Sequence, residues 1–221
     1  MAGPSPTRTR RRTPAPSLRR ERVHWDLGSV VAGVDEVGCG AWAGPVTYAA
    51  VVLPRTRRLY KLRDSKLLRP EEREHLAARL ERFALGIGLG HAGNDEIDRL
   101  GLSTARRLAA RRAVDDLPLR PDAILLDGSW DFLSDYGTVN ERIIRGDAHC
   151  ASIAAASIVA KVARDAMMRE LAPGFPPYGF ASNKGYPAPV HREALHTYGP
   201  CDLHRRSWTP IAALDQLSLA L

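Results

Sequence analysis

Four acidic residues stand where aliphatic runs give way to turn-forming residues: Asp35 and Glu36 in GVDEVG, Asp127 in LLDG and Asp147 in RGD. A single acid in such a place is commonly a turn former or a solvated charge. Recurrence in three separate segments points instead to acids that converge. Carboxylates brought together repel, and each holds its proton more tightly unless a divalent cation compensates. Hard oxygen donors, with no histidine–cysteine spacing suited to zinc, favour Mn2+ or Mg2+. Two such ions about 3.5 to 4 Å apart can orient a water and stabilise the leaving oxygen of a phosphodiester. Neighbours on a strand point to opposite faces, so Asp35 and Glu36 serve one site only if the strand ends or twists there, which Gly38 and Gly40 allow.

The rest of the composition suits that chemistry. The 221 residues, 44% of them hydrophobic, can bury one substantial core. A formal charge of +7 suits a polyanionic partner, although a solvated basic surface accounts for it equally well. Cys39, Cys150 and Cys201 lie far apart with no C-x-x-C pair, which argues against a disulfide framework and for a reducing, cytoplasmic setting. No apolar run approaches the roughly 20 residues that span a bilayer, and the arginine-bearing N-terminus lacks the apolar stretch of a secretory signal.

The elements that must position the acids follow from periodicity. Residues 1–26, rich in Pro, Thr, Ser and Arg, read as a disordered basic tail. From near Val30, VVAGVDEV and VTYAAVVL read as two strands of a hairpin around GCGAWAGP. PEEREHLAARLERF has proline first, acids next and helical spacing, and ALGIGLGHA follows as a third strand. Asn94 opens a helical region that Gly101 interrupts and Pro121 ends; AILLDG is a strand, and ERIIRGD a candidate for another. From Ala151 to Leu171 runs a helix whose first turns are apolar nearly all round and must be buried. These elements predict an α/β layer fold over 27–172, with a helical C-terminal attachment over 173–221.

Five blocks in order carry a closer resemblance: GVDEVGCGAWAGPV, RDSKLL, AILLDG, GDAHCASIAAASIVAKVARDAMM and NKGYPAPVHREALHTYGPCDLHRRSW. Together they resemble the ribonuclease HII family from about Ala32 to Trp208. The resemblance implies a ribonuclease H-like mixed sheet flanked by helices. It implies an endonuclease that cuts the RNA strand of RNA–DNA hybrids, and that cuts 5′ to single ribonucleotides in duplex DNA, leaving 5′-phosphate and 3′-hydroxyl ends. By matching motifs, Asp35, Glu36, Asp127 and Asp147 hold Mn2+ or Mg2+. Gly38, Cys39 and Gly40 read the 2′-hydroxyl at the junction through backbone groups. Tyr186 packs on the adjacent deoxyribose, and Ser65, Lys66 and Lys184 are phosphate contacts. The chain departs from the family where arginine is usual at Cys39, histidine at Asn183, and glycine then threonine at Pro187 and Ala188. The missing arginine removes a cation near the junction.

Ser152 and Ser157 lack any cue for an activating base and read as helix packing. His149, His191 and His204 read as surface or capping residues. The terminal QLSLAL, with Gln216, Leu217, Leu219 and Leu221, resembles a peptide that docks bacterial replication proteins on the sliding clamp, or else packs on its own domain. A monomer is expected. A non-catalytic nucleic-acid-binding module and a carboxylate-dependent exonuclease are the competing functions.

Overall fold

The computed structural model describes residues 15–56, 62, 65 and 68–218, with backbone alone over 214–218. Two β-branched runs form β1 (Val31–Val37) and β2 (Val46–Val52), paired antiparallel from Ala32↔Val52 to Val37↔Thr47. β3 (Gly86–Ala92) extends the hairpin antiparallel on β2. On the other side β4 (Ala123–Asp127) lies parallel to β1, and β5 (Val139–Ile143) parallel to β4, so the order is β3-β2-β1-β4-β5. β1 is therefore central, and side-chain alternation divides it between two cores.

One face packs Ala32, Val34, Val46 and Tyr48 against α3 (Asn94–Leu100) and the alanines of α4 (Leu102–Asp115). The other packs Ala49 and Val51 against α2 (Pro70–Phe83) and α6 (Ala151–Leu171), whose first ten residues are buried on every side. That is the burial its all-round apolar composition requires. Past α6, α7 (Phe180–Asn183), α8 (Pro189–Tyr198) and α9 (Thr209–Ser218) complete the C-terminal part. Phe180, Leu195 and Ile211 there share a cluster with Met168 and Ala43, so this part is clamped to the loop between β1 and β2. Among the described residues no helix is long and apolar enough to cross a membrane.

Two expectations need correction. The strand anticipated in ERIIRGD ends at Ile143; Arg145 then adopts a left-handed conformation (φ 54°), and Asp147 lies in the single turn α5 (Gly146–His149). The tail expected through Asp26 contains α1 (Arg19–Trp25), while residues 1–14 lie outside the described residues. Arginines disguised two anchors. Trp25 is buried with Val31, Ala123 and Leu125, and Glu21 is fully buried against the start of α6. There Glu21 accepts hydrogen bonds from the Ser152 amide and hydroxyl, each 2.8 Å, and caps a helix whose own preceding residue, Cys150, provides no side-chain cap.

Burial raises the Glu21 carboxyl pKa against these hydrogen bonds, and its second oxygen has no partner among the described residues. A raised folded-state pKa means a contribution to stability that is complete below the unfolded value and lost as pH rises through the folded one. Glu21→Gln is therefore expected to remove a fall in urea-unfolding free energy between pH 4 and pH 8 that the unaltered chain displays. Glu21→Ala, which orphans the buried Ser152 amide, should cost about 1 to 3 kcal/mol at either pH.

Candidate active site

Two neighbouring parallel strands deliver the first two acids. Asp35 is the fifth residue of β1, and the pairing of Val34 with Leu126 sets Asp127, the last residue of β4, beside it on the same face. Asp147 arrives from α5, whose first residue, Gly146, donates its amide to Asp127 Oδ1 at 2.6 Å. Asp35 and Asp147 are buried. Burial foremost, and then the Asp127 and Asp147 carboxylates, push the Asp35 pKa well above the ordinary range, against hydrogen bonds from the Glu36 amide and Ser157. Three acids from three elements thus share one electrostatic neighbourhood.

Ser157 belongs to this site rather than to helix packing alone. Ser157 Oγ shares a 2.7 Å hydrogen bond with Ser65 Oγ, and its hydroxyl also bears on the Asp35 carboxylate. Ser65 is buried in that role, with its carbonyl accepting from Arg73 Nη1 at 3.1 Å, and it is not placed to meet a phosphate as expected. Lys66 lies outside the described residues.

Glu36 is placed apart from the three aspartates. β1 continues to Val37 without breaking the alternation, so the Glu36 side chain points to the α4 face. There Arg106 Nη2 approaches its two oxygens at 2.7 and 2.5 Å, and Tyr48 donates its hydroxyl to the same carboxylate. Burial and then Glu36 raise the Cys39 thiol to about 12, with Arg106 opposing. Such a thiol is protonated and unreactive. Arg106 also brings a cation to the neighbourhood of Cys39, where the usual arginine is missing. Neither Tyr48 nor Arg106 stands out in the sequence, one inside an apolar strand and the other within ARRLAARR.

The second loop holds Tyr186 and Lys184. The Tyr186 ring lies 5.4 Å from the Arg164 guanidinium and 5.9 Å from Lys161 Nζ. Its carbonyl is fixed by a buried histidine pair, contrary to the surface or capping roles expected of them. The Cys201 amide donates to His204 Nδ1 at 2.9 Å, which leaves the His204 proton on Nε2. That proton bridges 2.9 Å to His191 Nε2, and His191 Nδ1 donates to Tyr186 O at 2.8 Å. Asn183, at a position of usual histidine, shapes the same loop by accepting from the Gly185 amide at 2.8 Å. Lys184 has φ 55°, and its Nζ folds back on the Ala181 and Ser182 carbonyls. In the C-terminal peptide, Gln216 and Leu217 lie on the α9 backbone, whereas Leu219 and Leu221 lie outside the described residues.

The family model for ribonuclease HII matches residues 32–211, which span both loops and all four acids. The chain belongs to the ribonuclease HII family. It is 50% identical to the ribonuclease HII of Streptomyces avermitilis over 187 residues, covering 85% of this chain and 80% of the relative. Its fold is similar to the crystal structure of ribonuclease H2 from Pyrococcus horikoshii, with a TM-score of 0.73, 27% identity, and coverage of 85% and 97% of the two chains. It is also similar to a ribonuclease HII from Archaeoglobus fulgidus solved in complex with PCNA, with a TM-score of 0.70, 25% identity, and coverage of 81% and 95%. Membership of the ribonuclease HII family carries ribonuclease H endonuclease activity, and the ribonuclease H family is divalent-metal dependent.

The chemistry of the donors suits such a metal. Among the described residues, as placed, no three of His, Cys, Asp and Glu stand close enough together to hold the ion. Even so, Asp35, Asp127 and Asp147 offer hard oxygen donors whose mutual repulsion a divalent cation would relieve.

Proposed function

We propose that this chain is an endoribonuclease that hydrolyses the RNA strand of RNA–DNA hybrids and nicks duplex DNA 5′ to a single embedded ribonucleotide, leaving 5′-phosphate and 3′-hydroxyl ends. The convergence of Asp35, Asp127 and Asp147 from β1, β4 and α5 supports this reading most directly. These three residues would hold Mn2+ or Mg2+, with Glu36 joining once Arg106 releases it. When bound, a pair of such ions activates water and stabilises the leaving oxygen. Ser157 and Ser65 hold Asp35 in one orientation. The Gly38-Cys39-Gly40 turn offers backbone groups to the ribose 2′-hydroxyl, Tyr186 packs on the next deoxyribose, and Lys184 lies near enough in sequence to meet a flanking phosphate. The chain acts as a cytoplasmic monomer.

The test is a labelled duplex carrying one ribonucleotide, incubated with Mn2+ or Mg2+ and resolved by length. One internal nick that disappears with chelator is expected. Binding without cleavage under either metal would make the chain a binding module, and stepwise shortening from an end would make it an exonuclease.

The Glu36–Arg106 pair adds a measurable consequence. A ligand that must first be released lowers apparent affinity by the fraction already free. Arg106→Ala is therefore expected to tighten Mn2+ binding, read by calorimetric titration, by roughly threefold or more. Unchanged affinity would exclude Glu36 from the ligand set.

The Archaeoglobus fulgidus relative, solved with PCNA, supports a clamp-docking role for the residues from Gln216 to Leu221. A chain truncated after Asp215 should lose clamp binding and keep its nicking activity; equal clamp binding by both forms would end that assignment.

A further inference from the structure

Two arginines lie wholly inside the protein and form no ion pair among the described residues: Arg164 on α6, and Arg205 between α8 and α9. Among the described residues both donate only to backbone carbonyls. Arg205 Nη2 donates to Gly38 O at 2.7 Å, Nη1 to Cys39 O at 3.0 Å, and both Nε and Nη2 to Gly44 O at 3.0 Å. Arg164 Nε donates to Pro45 O at 2.8 Å, Nη2 to Ala43 O at 3.1 Å, and Nη1 to Lys184 O at 2.9 Å on the second loop.

The cost of this arrangement is high. Buried guanidinium groups without a counter-ion are expensive, and burial together with the nearby Arg164 charge lowers Arg205 to about 10. Aliphatic side chains would fill the same volume at less expense, but they could not orient carbonyls. A planar fork of donors fixes several at once.

What the orientation achieves follows from peptide geometry. In a trans peptide the C=O of one residue and the N–H of the next point in opposite directions. Turning Gly38 O and Cys39 O toward Arg205 therefore directs the Cys39 and Gly40 N–H groups away from it. Neither N–H reaches a protein acceptor among the described residues. Two adjacent, unspent donors on a rigid turn can meet one electron-rich oxygen.

The geometry points to Arg164 and Arg205 as positioning residues: by holding the carbonyls of the turn inward, they aim the Cys39 and Gly40 amides at the substrate and set the preference for a ribose 2′-oxygen over a deoxyribose. The inference rests on the proposed reading of the turn as the ribose-reading element.

Arg205→Lys and Arg164→Lys keep the charge and lose the fork. With the full chain and Mn2+, a duplex containing one ribonucleotide should show KM raised roughly tenfold in each variant, while kcat falls far less. A hybrid with a continuous RNA strand, which offers a 2′-hydroxyl at every step, should be affected less. If the unaltered chain cuts neither substrate, the underlying functional reading fails. If it cuts both and the folded lysine variants retain its KM values and substrate ratio, the positioning role is overturned. A loss of kcat at constant KM, or loss of cooperative unfolding in both variants, would overturn it too, because either assigns the pair to stability alone.

Discussion

Asp35→Asn should abolish nicking and, in chelator, leave a protein that melts at a higher temperature than the unaltered chain. The two effects share one cause. Asp35 is buried beside Asp127 and Asp147, so the folded metal-free chain bears the repulsion of a charge it has desolvated. Asparagine nearly preserves the shape and can still accept from the Glu36 amide, which lies 2.7 Å from Asp35 Oδ1. Relief of about 1 kcal/mol would raise the midpoint of a chain this size by about 2 to 4 °C. Added Mn2+ should stabilise the unaltered chain by mass action and the variant much less. Calorimetry with and without metal, alongside a cleavage gel on which kcat drops on the order of a thousandfold, checks all of this. Cleavage at the original rate by Asp35→Asn would remove the aspartates from the chemistry.

Gly38→Ala and Gly40→Ala should separate folding from recognition. Gly38 has φ 93°, and a Cβ there would sit 2.3 Å from Arg164 Nε and 2.8 Å from Pro45 O. An alanine must displace a buried guanidinium while adopting a left-handed backbone, at a cost of about 1 to 3 kcal/mol. Its urea midpoint should fall, and cleavage at a single ribonucleotide should be nearly lost. At Gly40 a Cβ would meet nothing within 4 Å, and the backbone needs no special freedom. Gly40→Ala is therefore expected to fold with unchanged stability, so lost cleavage in that variant reports substrate meeting the turn. Full activity in both variants would show that nothing approaches this turn closely.

The hairpin and the strand ending in Asp127 were legible as β-branched or apolar runs bounded by turn residues, and the helix from Ala151 to Leu171 by its length and its all-round apolar first turns. Asp35 and Asp127 were likewise legible as strand-end acids. The rest depended on contacts remote in sequence. Glu21 and Trp25 sit among arginines, and only the distant Ser152 and Leu125 make sense of them. Alternation along β1 warned that Glu36 faces away from Asp35, but Gly38 and Gly40 suggested a twist that does not occur before Val37. Arg164 did carry a signal, a permanent cation in a helix predicted to be buried. Its carbonyl partners, at Ala43, Pro45 and Lys184, could not be read from spacing.

The parallel pairing of β1 with β4 carries one more consequence. Because Val34 faces Leu126, the two strand-borne aspartates are neighbours only in that alignment. A slip of a single residue would preserve a compact molecule with nearly the same apolar composition at its centre, yet would send Asp127 through to the α4 side. Such a misaligned product would pass most tests of folding and still be inert. Catalytic competence in this chain is thus a sensitive gauge of whether two strands separated by some ninety residues of chain have met correctly.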